Sequence, residues 1–233
     1  MQYFNLPKNT ARLIVLQRIE LTSPLQTKIR KLFGRYLFSS FITKYFLSPK
    51  YIGKEYYHIM LKEFLTIEKF IDHEDKSFLS IGSGIGGLEI IINKTFKNNH
   101  YYFIERNFIS KKVKYGWGGM ANTEGYNNLD LQKDFLKMNE IHESQINIFD
   151  YDKDILPNKK FDVIISLLSL DYHYDFNLYS EYLKSISKEN TKIIFDTIRA
   201  DYFKKIFKNV QIIRSDINGV HKSKRIMCNQ FLN

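Results

Sequence analysis

A glycine-rich turn, "SIGSGIGGLEI" from Ser80 to Ile90, constrains this chain more than any other feature. It follows an apolar run and opens a helix-forming stretch, and glycine at positions 82, 84, 86 and 87 lets the backbone turn tightly and approach a ligand closely. A phosphate-cradling P-loop would end in Gly-Lys-Ser/Thr, whereas this turn continues Gly86-Gly87-Leu88, which argues against ATP. Gly82, Gly84 and Gly87 satisfy the G-x-G-x-x-G spacing of dinucleotide sites, so spacing alone leaves NAD open.

The turn sits in a regular alternation that begins after Ile71. The runs "SFLSI", "YYFIE", "QINIFD", "FDVIISLL" and "TKIIFDTI" read as strands, separated by the helical stretches "GGLEIIINKTF", "LDLQKDFLKMN" and "NLYSEYLKSIS". A short helix, "DYFKKIF", precedes two late strands, "VQIIRSD" and "RIMCNQF", close enough to pair as an antiparallel hairpin. Strands apolar on both faces and alternating with helices predict a doubly wound, mostly parallel seven-stranded α/β sheet over residues 72–233. Residues 1–71 have a different texture. Ile29, Leu32, Phe33, Tyr36 and Leu37, then Tyr57, Leu61, Phe64 and Leu65, recur at helical spacing, which predicts an amphipathic helical segment ahead of the sheet.

Charge separates the same two parts. The chain of 233 residues carries a formal +10, and residues 1–71, with twelve Lys/Arg and four Glu, hold +8 of it. Such an excess usually points toward an anionic partner, whether nucleic acid, a phosphorylated substrate or a membrane surface touched peripherally by the basic amino terminus, although Lys abundant alongside Asn, Ile, Phe and Tyr is also the mark of an AT-rich coding bias. The one cysteine, Cys228, cannot form an internal disulfide, and no apolar run reaches the roughly 18 residues of a membrane span. A soluble, cytoplasmic protein is expected.

Glu105, at the end of the second strand, is placed to accept hydrogen bonds from both hydroxyls of an adenosine ribose. With the late hairpin, Asp150 in "NIFDYD" and the polar-aromatic segment "SLLSLDYHYDF", the order of motifs from Ser77 to the carboxyl terminus resembles the class I S-adenosylmethionine-dependent methyltransferases. The resemblance implies a Rossmann-like fold with S-adenosylmethionine as cofactor. It places Gly82, Gly84 and Gly86 beneath the methionine part, Glu105 on the ribose and Asp150 near the adenine amine, with Asp152 the close competitor. Ser80 stands where the family often has Asp or Glu, so recognition of the cofactor's amino group is expected to be weaker or to come from elsewhere.

For the acceptor, the position after the fourth strand lacks the Asn/Asp-Pro-Pro-Tyr type motif of base N-methylation. The stretch "SLLSLDYHYDFNLYSEYL" is instead similar to that of sugar O-methyltransferases, which implies a carbohydrate or other small hydroxylated acceptor. His173 suits removal of a hydroxyl proton at neutral pH. If the strand persisted past Ser169, Asp171, His173 and Asp175 would share one face, so that Asp171 or Asp175 orients the imidazole; in a second version the carboxylates hold magnesium, and the metal-free version is preferred. The long connection "NFISKKVKYGWGGMANTEGYNN" offers Tyr115, Trp117 and Tyr126 for stacking on a sugar and Asn127 for its hydroxyls, with Tyr172 beside the histidine. Methylation of nucleic acid, and a catalytically silent nucleotide-binding member of the fold, are the alternatives.

Overall fold

The computed structural model describes residues 3–110, 125–216 and 222–232. Among them, seven strands form one sheet in the order β3-β2-β1-β4-β5-β7-β6. These are β1 (Ser77–Ile81), β2 (His100–Glu105), β3 (Ile146–Asp150), β4 (Phe161–Ser166), β5 (Ser187–Thr197), β6 (Phe207–Asp216) and β7 (Ser223–Phe231). The first five pair in parallel, and β7 lies antiparallel between β5 and β6. The predicted sheet and its closing hairpin are therefore both present.

Period-two burial explains why the strands read as continuous apolar runs. Phe78, Phe103, Val163 and Ile165 pack into the core on one face, while Leu79, Ile104 and Ile164 pack into the core on the other. The second face is closed by α7 (Ser180–Ile186) and a 3-10 helix, Ala200–Lys205, through Leu183, Ile186 and Phe203. The first carries α5 (Gly87–Thr95) and α6 (Leu129–Met138).

The residues before β1 belong to that first layer. They form α1 (Lys8–Gln17), α2 (Pro24–Phe33), α3 (Arg35–Tyr45) and α4 (Pro49–Leu65). Ser23 and Gln26 close a reciprocal capping box at the start of α2, with Pro24 at the first helical position. Ile14, Val15, Ile52, Tyr56 and Phe64 are buried in the same cluster as Phe78, Ile90 and Leu136, so α1 and α4 share one core with the sheet across the expected boundary at residue 71. Among the described residues, no helix is long and apolar enough to cross a membrane.

Strand order reverses between β1 and β4, and the carboxyl ends of those two strands open a crevice, the usual ligand position in a sheet of this kind.

Candidate functional site

A cavity of about 490 Å³ occupies that crevice. Its base is the glycine turn after β1, where Gly82 and Gly84 adopt φ of +69° and +66°. A Cβ on Gly82 would lie 1.9 Å from Ser169 Oγ and 2.4 Å from its Cβ, so glycine is required there by conformation and by space; a Cβ on Gly84 would meet the flexible end of Gln17 at 2.6 Å, and there the positive φ is what favours glycine. Gly86, also left-handed at +83°, answers to packing instead. Its Cβ would meet Leu136 at 2.7 Å, and it is not part of the cavity wall.

Glu105 faces the cavity from the end of β2. The Gly84 N–H donates to its Oε1 at 2.6 Å and the Ser83 hydroxyl at 3.1 Å. Burial pushes its carboxyl up to about 8 despite these donors. Around it runs a polar network that sequence reasoning did not find. Gln17 Nε2, from the end of α1, donates to the Tyr126 carbonyl at 2.8 Å; Gln132 Nε2, from α6, donates to Ser83 Oγ at 3.2 Å. Asn127 Nδ2 donates to the Gly84 carbonyl at 2.7 Å and to Gln132 Oε1 at 2.9 Å. The Asn127 amide, expected to serve acceptor hydroxyls, thus braces the glycine turn and is only 2% exposed.

The other cofactor residues fall into two groups. Gly82, Gly84 and Glu105 come together in the cavity wall; Ser80 and Asp150 do not. The Ser80 hydroxyl donates to the buried Glu89 of α5, whose carboxyl is raised by burial. Asp150 accepts the Asp152 N–H at 3.2 Å and shapes its own turn. Asp152 pairs with Arg106 at 3.2 Å, and it is Arg106 that reaches the cavity.

The segment after β4 corrects the expectation of a continued strand. β4 stops at Ser166, and the Ser169 carbonyl accepts the N–H groups of Tyr172, His173 and Tyr174 at 3.1, 2.7 and 3.3 Å. Leu168 and Asp171 take positive φ, so the chain curls and period-two alternation fails. Ser166 anchors the curl by donating to the Ile81 carbonyl at 2.7 Å and accepting the Leu170 N–H at 2.9 Å.

The curl divides the residues expected to act together. His173 and Tyr172 line the cavity, their rings 4.5 Å apart, with Tyr126 at 6.0 Å from His173. Asp171 instead accepts from Thr197 Oγ1 at 2.6 Å and Arg199 Nε at 3.0 Å, and Asp175 lies 3.2 Å from the same guanidinium. Both carboxylates converge on a fixed cation rather than on the imidazole. Among the described residues, no three His, Cys, Asp or Glu side chains cluster as a metal site. Tyr115 and Trp117 lie outside the described residues.

A seven-stranded sheet of this order with an antiparallel closing hairpin, a left-handed glycine turn at β1 and an acid at the end of β2 define the Rossmann-like methyltransferase fold. No family model matches the sequence, and no curated protein aligns with it significantly. Solved structures do. The chain is similar to the StiE O-MT domain, residues 942–1257, at 14% identity and a TM-score of 0.50, over 88% of this chain and 68% of that one. Magnesium protoporphyrin IX methyltransferase from Synechocystis PCC 6803, solved with bound SAM, matches at 13% identity and 0.49 over 90% and 98% of the two chains. The mitomycin 7-O-methyltransferase MmcR matches at 13% and 0.49 over 88% of this chain, which spans only 58% of that enzyme's length. At these identities the likeness is one of fold.

Proposed function

We propose that this protein is a cytoplasmic S-adenosylmethionine-dependent O-methyltransferase acting on a sugar or other small hydroxylated acceptor. The observation that carries the reading is Glu105 beside the Gly84 N–H, at the mouth of a turn whose two wall glycines hold left-handed backbone, Gly82 with no room for a side chain. That cradle fits the cofactor: the bare backbone at Gly82 and Gly84 admits its methionine part, and Glu105 accepts from its ribose hydroxyls. When bound, S-adenosylmethionine supplies an electrophilic methyl group. His173, on the post-β4 curl, takes the proton of the acceptor hydroxyl, and Tyr126 and Tyr172 stack on the acceptor beside it. No metal is needed in this scheme, because the imidazole itself carries the proton.

Calorimetry with S-adenosylhomocysteine and NADH tests the cofactor. Binding of the sulfur ligand, weakened by Glu105→Ala, supports the proposal; tight NADH binding with no signal for the sulfur ligand ends it. Once an acceptor turns over, His173→Ala should lower the single-turnover rate by about 10² to 10⁴ with cofactor affinity nearly unchanged.

A second element of the reading is a membrane partner. Leu25, Leu32, Phe33, Leu37 and Phe41 of α2 and α3 project into solvent, between 54% and 80% exposed. No Asp or Glu occurs from Leu21 to Lys54, and Lys28, Lys31, Lys44, Lys50 and Lys54 are exposed in that stretch. Exposed apolar side chains and exposed lysines with no acid in the same stretch suit the surface of an anionic bilayer.

A further inference from the structure

Where α2 forms the cavity wall, a single helix separates the cavity from solvent. Thr27, Arg30 and Lys31 of that helix line the cavity. Leu25, Ile29, Leu32 and Phe33, spaced i, i+4, i+7 and i+8 on the opposite side of the same helix, are exposed. The two stripes therefore lie about one helix diameter apart, on the order of 10 Å. Lys31 is both exposed and part of the cavity wall, so the rim of the cavity borders the outer apolar face.

Packing against the core does not account for α2. Of its ten residues only Arg30 is buried, and an isolated helix of this length is marginal in water. The helix gains support if its apolar stripe is covered. α3 continues that face: its buried stripe is Arg35, Phe38, Ser39 and Ile42, while Leu37, Phe41 and Tyr45 are exposed. The Phe41 ring lies 5.2 Å from Tyr45 and 5.5 Å from the exposed Phe46. Clustered aromatic rings beside leucines and lysines suit the boundary between lipid headgroups and hydrocarbon. A two-fold dimer through the same face would bring Lys28, Lys31 and Lys44 toward the same lysines of a second copy, and like charge opposes it. An anionic bilayer attracts those lysines instead.

We propose that the acceptor is a membrane lipid whose head carries sugar or polyol hydroxyls. α2 and α3 rest on the bilayer, the head enters the cavity past Lys31, and the acyl chains stay among the lipids. The inference rests on the methyltransferase and bilayer readings above and names the acceptor that joins them. In the transfer the acceptor oxygen bonds the methyl carbon, the sulfur keeps the electron pair of the bond that breaks, and the hydroxyl proton goes to His173.

The test uses the full chain with S-adenosylmethionine tritiated in its methyl group. Vesicles of phosphatidylcholine and phosphatidylserine, which offer no free hydroxyl, are doped with diglucosyl diacylglycerol or phosphatidylinositol; maltose and inositol are the water-soluble counterparts. Label should enter the organic extract of at least one doped vesicle and not of the undoped ones, with about tenfold less transfer to the free sugar or polyol at equal concentration. Leu32→Glu and Phe41→Glu, both at exposed positions, should lower lipid labelling to the level of the soluble counterpart, with affinity for S-adenosylhomocysteine unchanged. Label in neither doped lipid, equal label in the soluble counterparts, or undiminished lipid labelling by both variants overturns the proposal. Label from undoped vesicles would put the methyl on a head without a hydroxyl and overturns it as well. Failure of the underlying readings is separately visible. No calorimetric signal with S-adenosylhomocysteine ends the cofactor reading, and absence from the vesicle pellet ends the bilayer reading, whereas protein that binds both and labels no lipid sinks this inference alone.

Discussion

Glu105 couples the candidate site to pH. Its folded-state value, about 8, lies above the ordinary 4.5, so between those values the folded chain holds a proton that the unfolded chain has released. Its contribution to stability is thus full below about pH 4.5 and is lost as pH rises through about 8. A cationic cofactor favours the ionised carboxylate, so affinity for S-adenosylmethionine should rise with pH toward 8, and Glu105→Gln should flatten both profiles. Melting curves and calorimetry across pH 5–9 check this; an unchanged profile in the variant would assign the dependence to another group. Asp171 makes the complementary case. It binds Thr197 and Arg199, so Asp171→Asn should cost about 1–3 kcal/mol of stability, read by urea unfolding, while leaving the pH dependence of turnover intact. A shifted pH profile would restore the His173 dyad that residue order suggested. That His173 follows the fourth strand and that Glu105 ends the second beside the glycine turn was legible because residue type and strand end are local properties. The aspartate's partner was not, since it lies 28 residues away across a curl.

At the scale of elements, α2 and α3 work on both sides. Arg30, Lys31 and Arg35 line the cavity, while Leu25, Leu32, Phe33, Leu37 and Phe41 face solvent. The protein should therefore co-sediment with vesicles containing phosphatidylglycerol and not with pure phosphatidylcholine, and binding should fall with added salt. Leu32→Glu and Phe41→Glu, both at exposed positions, should abolish it without lowering thermal stability. A concentration-dependent dimer that ignores vesicles would assign this face to a second copy of the chain. Helical spacing announced the two helices, but an amphipathic pattern does not say which stripe finds a core. Here the buried side includes Arg30, Arg35, Phe38 and Ile42, and several of the larger apolar side chains remain outside.

For the whole molecule, the shared core across residue 71 predicts that residues 1–50 cannot be removed. Phe4, Leu13, Ile14, Val15 and Leu16 are each 2% exposed or less. Losing them forfeits on the order of 10 kcal/mol of burial, comparable to the total stability of about 5–15 kcal/mol typical of a domain. Deletion should therefore abolish folding and cofactor binding together, by circular dichroism and calorimetry; a folded, cofactor-binding remainder would establish a separable segment. By itself the sequence determined the sheet, its hairpin, the glycine turn and the acid at the end of β2, because strand period, turn conformation and strand ends are written in consecutive residues. Tertiary structure alone decided that "DYHYD" curls, that Asn127 and Gln17 brace the turn from 110 residues apart, and that the basic helices face a cavity. Those outcomes depend on which distant groups satisfy each buried polar atom, and no local pattern carries that information.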